Sequence, residues 1–374
     1  MRIVELLLFF TCGCFLSVLQ AQRTTFSFDL PKSGDVFYYK LDNLPDNVSV
    51  DFQGGRNAWN LSMLSAPTAH EYHFDRIHSS LYSNFFPNAD LVSYDLWKNE
   101  KFFKRIGNGL FLLGEVIKSN REASNPIIKE YTDPKPLYSM DYSIDVPQEY
   151  QSTWEVMING SEIINERIDP DVTYKIIVEE NISEVVEDQG LMFLPRERFD
   201  EVIKLKREIS SDFKIYKSIG RDEWEYIDIP LSTDELPIDF VGQRNEVTFL
   251  SENSKEWLAK VDLDNRGQVT SALFKSQKDQ IKSSTGYNES NFYLYPNPTF
   301  GLVRLDFINL PKDTYFLEVY NIIGKKLWTE KYVIDGYTTI KADLGFLSKG
   351  TYLYSLSKKS GEKLLTRKMA IINP

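Results

Sequence analysis

The sequence predicts an all-β protein: a large antiparallel β-sandwich-like domain followed by a small Ig-like β-sandwich. Three observations predict it. Aromatic residues make up 14% of the 374 positions, mostly Tyr and Phe, types that suit a pleated, half-buried surface. Short runs that alternate apolar with polar residues recur between Gly, Pro and Asn turns, the period of a strand. No long amphipathic stripe of helical spacing interrupts them.

In chain order, Arg2 precedes an apolar run from Leu6 to Leu19, and the small residue Ala21 follows. A basic start, an apolar stretch and a small residue read as an export signal over 1–21, cleaved between Ala21 and Gln22. The run falls short of the about 20 residues a membrane span needs. Glu5 and Leu19 depart from the usual pattern, and Cys14 after Gly13 offers a lipoprotein alternative with poorly fitting upstream residues. The only two cysteines, Cys12 and Cys14, lie in this stretch. Residues 22–374 therefore carry no disulfide, thiol nucleophile or cysteine-bound zinc.

Residues 22–282 read as one β-rich domain of unknown function. Predicted strands are Phe26-Ser27-Phe28, Val36 to Tyr39, Val48 to Phe52, Tyr174 to Val178, Val202 to Leu205, Phe213 to Tyr216, Val247 to Leu250 and Leu258 to Leu263. Thr132-Asp133-Pro134-Lys135-Pro136 reads as a loop between two sheets, because proline cannot donate to a ladder. Asp264-Asn265-Arg266-Gly267 reads as a hairpin turn; it resembles a calcium loop, but Arg266 and the lack of a Glu at the twelfth position argue against one. The apolar-poor stretch Ser276 to Ser290 is a linker, narrowed to 283–290.

Candidate chemistry is sparse. The three histidines fall together at His70, His73 and His78. On a strand over 70–75, Glu71, His73 and Asp75 share one face, opposite His70, Tyr72 and Phe74. One His with two carboxylates is a weak candidate for a mixed metal site. The spacing is not that of a helical zinc-protease motif. No phosphate loop, dinucleotide fingerprint or serine elbow is present, so no cofactor and no catalytic residue is assigned. Trp97 to Phe103 and Trp224-Glu225-Tyr226 offer aromatic faces for a sugar, or cross-strand pairs of a core.

Residues 291–374 form the second domain. Tyr295-Pro296-Asn297-Pro298-Thr299-Phe300-Gly301 is a rigid turn, since proline fixes φ and Gly relieves the following bend. About seven strand runs are marked off by turns at Gly301, Gly324, Gly336, Gly350 and Gly361. The Tyr295-to-Gly301 turn, the Val319-to-Lys325 hairpin, the Leu347-to-Tyr352 turn and Arg367-Lys368-Met369-Ala370-Ile371-Ile372 stand in order. Together they resemble the subtype A C-terminal sorting domain of the type IX secretion system of Bacteroidota. The matched positions are Tyr295, Pro296, Asn297, Pro298, Gly301, Gly324, Gly350, Tyr352, Arg367 and Lys368. The resemblance implies a translocon and a surface sortase as partners, then release or attachment to anionic lipopolysaccharide.

Leu30 to Asp35, Asn57 to Ser62, Phe85 to Ala89, and Gly190 to Pro195 leading to Phe199–Lys206 resemble an uncharacterised β-rich family of secreted Bacteroidota proteins. It implies one continuous domain and no chemistry.

Net charge is −11. Residues 287–374 hold 12 basic and 8 acidic side chains, so the rest carries −15. An acidic body argues against nucleic acid as a partner. The expectation is a secreted or cell-surface protein whose central domain is a non-catalytic binding or structural module, with a glycan or surface ligand as partner. The alternative is a secreted hydrolase of polysaccharide or peptide, for which no carboxylate pair stands out.

Overall fold

The computed structural model describes residues 25–372 apart from 53–56, 68, 96–98, 108, 119–125, 140, 232–234, 237–241 and 278–289. The export signal with Ala21 and Gln22, nearly all of the linker, and Trp97 lie outside the described residues. The strands are β1 (Thr25–Ser27), β2 (Val36–Asp42), β3 (Ala58–Asn60), β4 (His70–Arg76), β5 (Leu91–Tyr94), β6 (Glu100–Ile106), β7 (Gly109–Ile117) and β8 (Ile127–Ser139). They continue with β9 (Asp141–Ser143), β10 (Gln148–Asn159), β11 (Thr173–Leu194), β12 (Glu197–Gly220), β13 (Glu223–Ile227), β14 (Gln243–Ser251), β15 (Ala259–Leu263) and β16 (Val269–Lys275). The tail adds β17 (Asn291–Tyr295), β18 (Leu302–Asn321), β19 (Lys326–Asp343), β20 (Gly350–Lys358) and β21 (Lys363–Ile371).

The fold is all-β, but the large domain is a closed barrel and not a sandwich. Strands β2, β4, β5, β6, β7, β8, β10, β11, β12, β14, β15 and β16 each pair antiparallel with the next. The ring closes where β16 meets β2, with Ala272 opposite Asp42 and Leu273 opposite Leu41. A sandwich leaves edges, whereas closure removes them by pairing the first and last strands. β11 and β12 make the longest hairpin, running from Tyr174↔Lys217 to Leu194↔Glu197. Over Val202–Ser210 β12 pairs with β11 along one edge and β14 along the other, which carries the wall onward.

Side chains alternate across the wall. Along β10, Ser152, Trp154, Val156 and Ile158 are buried while Gln151, Met157 and Asn159 are exposed. The inward face forms the main core with Phe26 and Phe28, which reach it from β1 and the residues after it. Two patches of the outer face are also covered. Val50, Trp59, Leu61 and Leu64 cover Val247, Phe249, Val261 and Phe274. Phe86 and Ala89 cover Val92, Phe102 and Val116. Strands buried on both faces read as continuous apolar runs, which is why Val247 to Leu250 scarcely alternates.

Two further expectations need correction. Thr132 to Pro136 is not a loop; it lies inside β8. The ladder slips around both prolines. Pro134 lies between Lys135, which faces Leu112, and Glu130, which faces Gly114, and beside Pro136 the register jumps from Phe111↔Pro136 to Leu110↔Tyr138. Toward β10, Thr153 faces Asp133 while Trp154 faces Tyr131. A bulge leaves unpaired positions that tolerate the missing donor. Ser152 Oγ donates to the Asp133 carbonyl at 2.8 Å, and Thr132 Oγ1 to that of Thr153 at 3.2 Å. Val48 to Phe52 is not a strand; it packs as irregular chain on the outer face. The turn at Asp264 to Gly267 is present, with Asp264 Oδ1 accepting from the Arg266 and Gln268 amides at 2.8 Å each.

The tail has its own core, including Phe292, Leu305, Phe307, Tyr315, Leu317, Leu356 and Met369. Its predicted seven runs merge into five strands, because β18 and β19 run on through bulges near Asn309 and Gly336.

Candidate functional site

Twelve strands enclose more space than side chains fill, since about 8 strands already give an interior just wide enough for them. The lumen holds a cavity of about 610 Å³, within the range of small-molecule sites, about 300–1,000 Å³. Its apolar lining includes Phe37, Phe74, Leu112, Tyr131, Trp154 and Trp257. It reaches the surface beside Gln243 and Arg244, which are exposed.

Charged side chains cross the lumen in two arcs on facing walls. The first spans β8 to β15 and is ion-paired throughout. Lys135 Nζ lies 2.7 Å from Glu180, whose other oxygen accepts from Trp154 Nε1 at 3.1 Å. Arg207 binds Glu184 through Nε at 2.9 Å and Nη2 at 2.6 Å, and lies 3.4 Å from Glu246. Glu246 also meets Lys260 at 2.9 Å and Arg244 at 3.4 Å, and Arg244 reaches Asp262 at 3.0 Å. Burial pushes the Glu246 carboxyl up, but Lys260, Arg207 and Arg244 outweigh it and hold it well below the usual carboxylate range. Such a network is rigid because each buried charge is matched.

The second arc is Lys101 on β6, Glu115 on β7 and Lys129 on β8. Lys101 stands directly opposite Glu115, and Glu115 directly opposite Lys129, so the three form one row across the wall. Among the described residues, neither lysine has a carboxylate oxygen within ion-pair distance. Lys129 Nζ instead lies over Trp154 at 4.0 Å and Tyr131 at 4.8 Å, a weaker partnership than a salt bridge. Burial pulls the Lys129 pKa below the ordinary lysine value despite Glu115 and Glu180. For Lys101, burial is outweighed by Glu115 and Asp95, and its pKa is raised.

The histidine strand keeps the predicted faces: Tyr72 and Phe74 line the lumen, and His73 Nε2 pairs with Glu71 at 2.8 Å outside. No cluster of three His, Cys, Asp or Glu able to hold a metal occurs among the described residues, so Asp75 does not complete a set. His70 is buried and His78 sits in a 3-10 turn. Of the aromatic candidates, Phe102 packs outside the wall and Phe103 inside. Trp224 stands under Lys175 at 4.7 Å and Tyr226 against Tyr216 at 5.7 Å, both on the outlying β13. Sequence reasoning missed the lumen lysines, because a charged residue within an apolar alternation reads as solvent-facing.

In the tail, the marked positions converge. Asn297 clips the proline turn to β21: its Nδ2 donates to the Lys368 carbonyl at 2.8 Å, and its Oδ1 accepts from the Ala370 amide at 3.0 Å. The peptide bonds before Pro296 and Pro298 are both cis. Arg367 reaches back to the Phe292 carbonyl at 2.6 Å and Asn291 Oδ1 at 2.9 Å, over the Tyr293 ring. Gly301 has φ +122, and a Cβ there would meet Gly345 Cα at 2.6 Å, so only glycine fits. Gly324 has φ +83 in the β18–β19 turn. Gly350 opens β20, and Tyr352 donates to the Ser348 carbonyl at 2.6 Å. Tyr295 is buried with its hydroxyl 3.2 Å from Asp306. Lys368 is exposed.

The tail rests on the barrel rim. Arg304 Nη1 donates to Asp42 Oδ1 at 2.6 Å and its Nη2 to Asp46 at 3.1 Å. Lys341 also pairs with Asp46, and Asn43 with Tyr337. Ile308, Tyr293 and Tyr337 pack with Leu41, Leu273 and Tyr72, which line the lumen.

These observations define an all-β protein that carries a compact C-terminal export unit. Residues 293–372 match the family described as the secretion system C-terminal sorting domain, and the segment is a type IX sorting domain. A tail of this kind directs export to the cell surface or extracellular space. Among solved structures, the chain aligns with the crystal structure of dimeric latent PorU from Porphyromonas gingivalis at 11% identity and a TM-score of 0.21. That alignment covers 91% of this chain and 30% of that one. No curated protein matches.

Proposed function

We propose that the protein is a secreted or outer-surface binding module, in which the barrel holds a small ligand in its lumen and the tail serves as the export label. The observation that carries the binding reading is the lumen cavity of about 610 Å³, open at one end and walled by aromatic side chains and a matched ionic network. Pockets of this kind, apolar with few placed polar groups, are where proteins hold small molecules. The lumen carboxylates Glu180, Glu184, Glu246 and Asp262 are engaged by lysine or arginine, and at Glu115 burial is outweighed by Lys129 and Lys101, which hold its carboxyl below the usual range. That favours a non-catalytic role over the hydrolase alternative, which needs a carboxylate free to take up or give a proton.

In this reading residues 1–21 take the chain to the periplasm, and 22–282 are the cargo, joined by a linker over 283–290 to the sorting domain. The translocon recognises the tail, and a surface sortase releases the cargo or joins it to anionic lipopolysaccharide of a Bacteroidota cell.

A thermal-shift screen of metabolites and short glycans tests the binding role, with Leu112→Trp as the control that fills the lumen. A ligand that binds only the folded state raises its melting temperature. The expected result is at least one compound that stabilises the wild type and leaves the Trp variant unmoved. A broad panel in which no compound separates the two proteins contradicts the reading.

A further inference from the structure

The lumen is electrostatically unlike the rest of the molecule. The barrel belongs to the −15 portion of the chain. Yet the cavity is lined by six cationic side chains, Lys101, Lys129, Lys135, Arg207, Arg244 and Lys260. Against them stand Glu115, Glu180, Glu246 and Asp262 in the lining, with Glu184 bound to Arg207 behind it. One positive charge is left over, and the pairing shows where. The arc from β8 to β15 is matched charge for charge, Lys135, Arg207, Arg244 and Lys260 against Glu180, Glu184, Glu246 and Asp262. On the facing wall the row Lys101–Glu115–Lys129 sets two ammonium groups beside one carboxylate.

We propose that this row is the anchor for a singly charged amphipathic anion, an aromatic or unsaturated acid. Its acidic group sits between Lys101 and Lys129, and its apolar body lies against Trp154, Tyr131, Leu112 and Phe74. This rests on the reading of the lumen as a ligand pocket and adds its chemical class.

Three features support the assignment. Lys101 and Lys129 share Glu115 across the row and neither makes a direct ion pair among the described residues, so an acidic group placed between them gains two partners that no described carboxylate of the chain holds at contact distance. Lys129 is held over the Trp154 face, so an anion beside it meets a flat aromatic surface at the same point. A dianion exceeds the charge the lumen can neutralise, and a cation adds to its surplus.

The test uses the full chain and two dyes with one ring system: 1-anilinonaphthalene-8-sulfonate, a monoanion, and N-phenyl-1-naphthylamine, its neutral counterpart. Calorimetry and dye fluorescence give the affinity of each. The expected result is one site that binds the sulfonate at least tenfold more tightly than the neutral dye. Lys101→Met/Lys129→Met is expected to abolish that preference while the neutral dye still binds. Glu115→Gln, a nearly isosteric change, is expected to tighten the sulfonate several-fold, which keeps the test decisive if the double variant fails to fold. Equal wild-type affinity for both dyes overturns the anion assignment and leaves the pocket reading intact. Loss of both dyes from the wild type overturns both. Sulfonate binding that ignores all three substitutions places the dye outside the lumen and also overturns the proposal.

Discussion

Asp306 and His70 set the two parts of the molecule on opposite pH trends. Asp306 is fully buried, and burial raises its pKa from 3.8 to about 6, although Thr339 and Tyr295 donate to it. Between those values the folded tail holds a proton that the unfolded chain has released. The contribution is therefore full below pH 3.8 and is lost as pH rises to about 6, worth about 3 kcal/mol. His70 runs the other way: burial lowers its pKa from 6.5 to about 4. Its contribution is full above pH 6.5 and falls as the solution is acidified toward 4, again by about 3 kcal/mol. Melting followed from pH 4 to 6.5 should show the tail weakening and the barrel strengthening as pH rises. Asp306→Asn should flatten the tail's slope and His70→Gln the barrel's. A slope unchanged in its own variant rules out that group as the cause. Asp306 is not marked in the sequence: it sits in the alternation Leu305-Asp306-Phe307 as an outward polar residue would.

At the scale of elements, runs in β1, β2, β4, β11, β12, β14 and β15 were legible, those of β5 to β10 were not, and neither was the closure. Alternation shows that one face of a strand is buried, but a sandwich and a barrel share that signature. The seam joins Leu41 to Leu273, far apart in sequence, and no local pattern encodes that pairing. The bulge in β8 was misread for a related reason: two prolines are usually a break, and only the slipped registers to β7 and β10 show how a strand accommodates them. The lumen lysines were hidden because their neighbours alternate as for a solvent-facing strand. The tail was read more fully, since Asn297, Gly301 and Arg367 fall in a recognisable order. Closure is directly testable. Opposed residues of an antiparallel pair have Cα atoms about 4.5–5.5 Å apart, within disulfide reach. Both native cysteines lie at 12 and 14, ahead of the expected cleavage. Leu41→Cys/Leu273→Cys in the chain from Gln22 should cross-link under mild oxidation, seen as two thiols lost by mass. Thiols that persist while the protein stays folded would show an open seam.

At the scale of the whole molecule, an acidic cargo barrel is joined to a basic label through Arg304, buried against Asp42. The label's sequence blocks are also its structural ties, with the proline turn clipped to the last strand by Asn297. It packs on the rim at Leu41 and Leu273 without contributing a strand to the ring. The cargo's wall is thus complete without residues 293–372, and its destination depends on them. The decisive measurement is the location of the chain lacking 293–372 in its native host, by fractionation and immunoblot beside the full-length protein. The truncated chain should accumulate, folded, in the periplasm and be missing from the surface and the medium. Its arrival there in normal amount would show that the tail is not the export label.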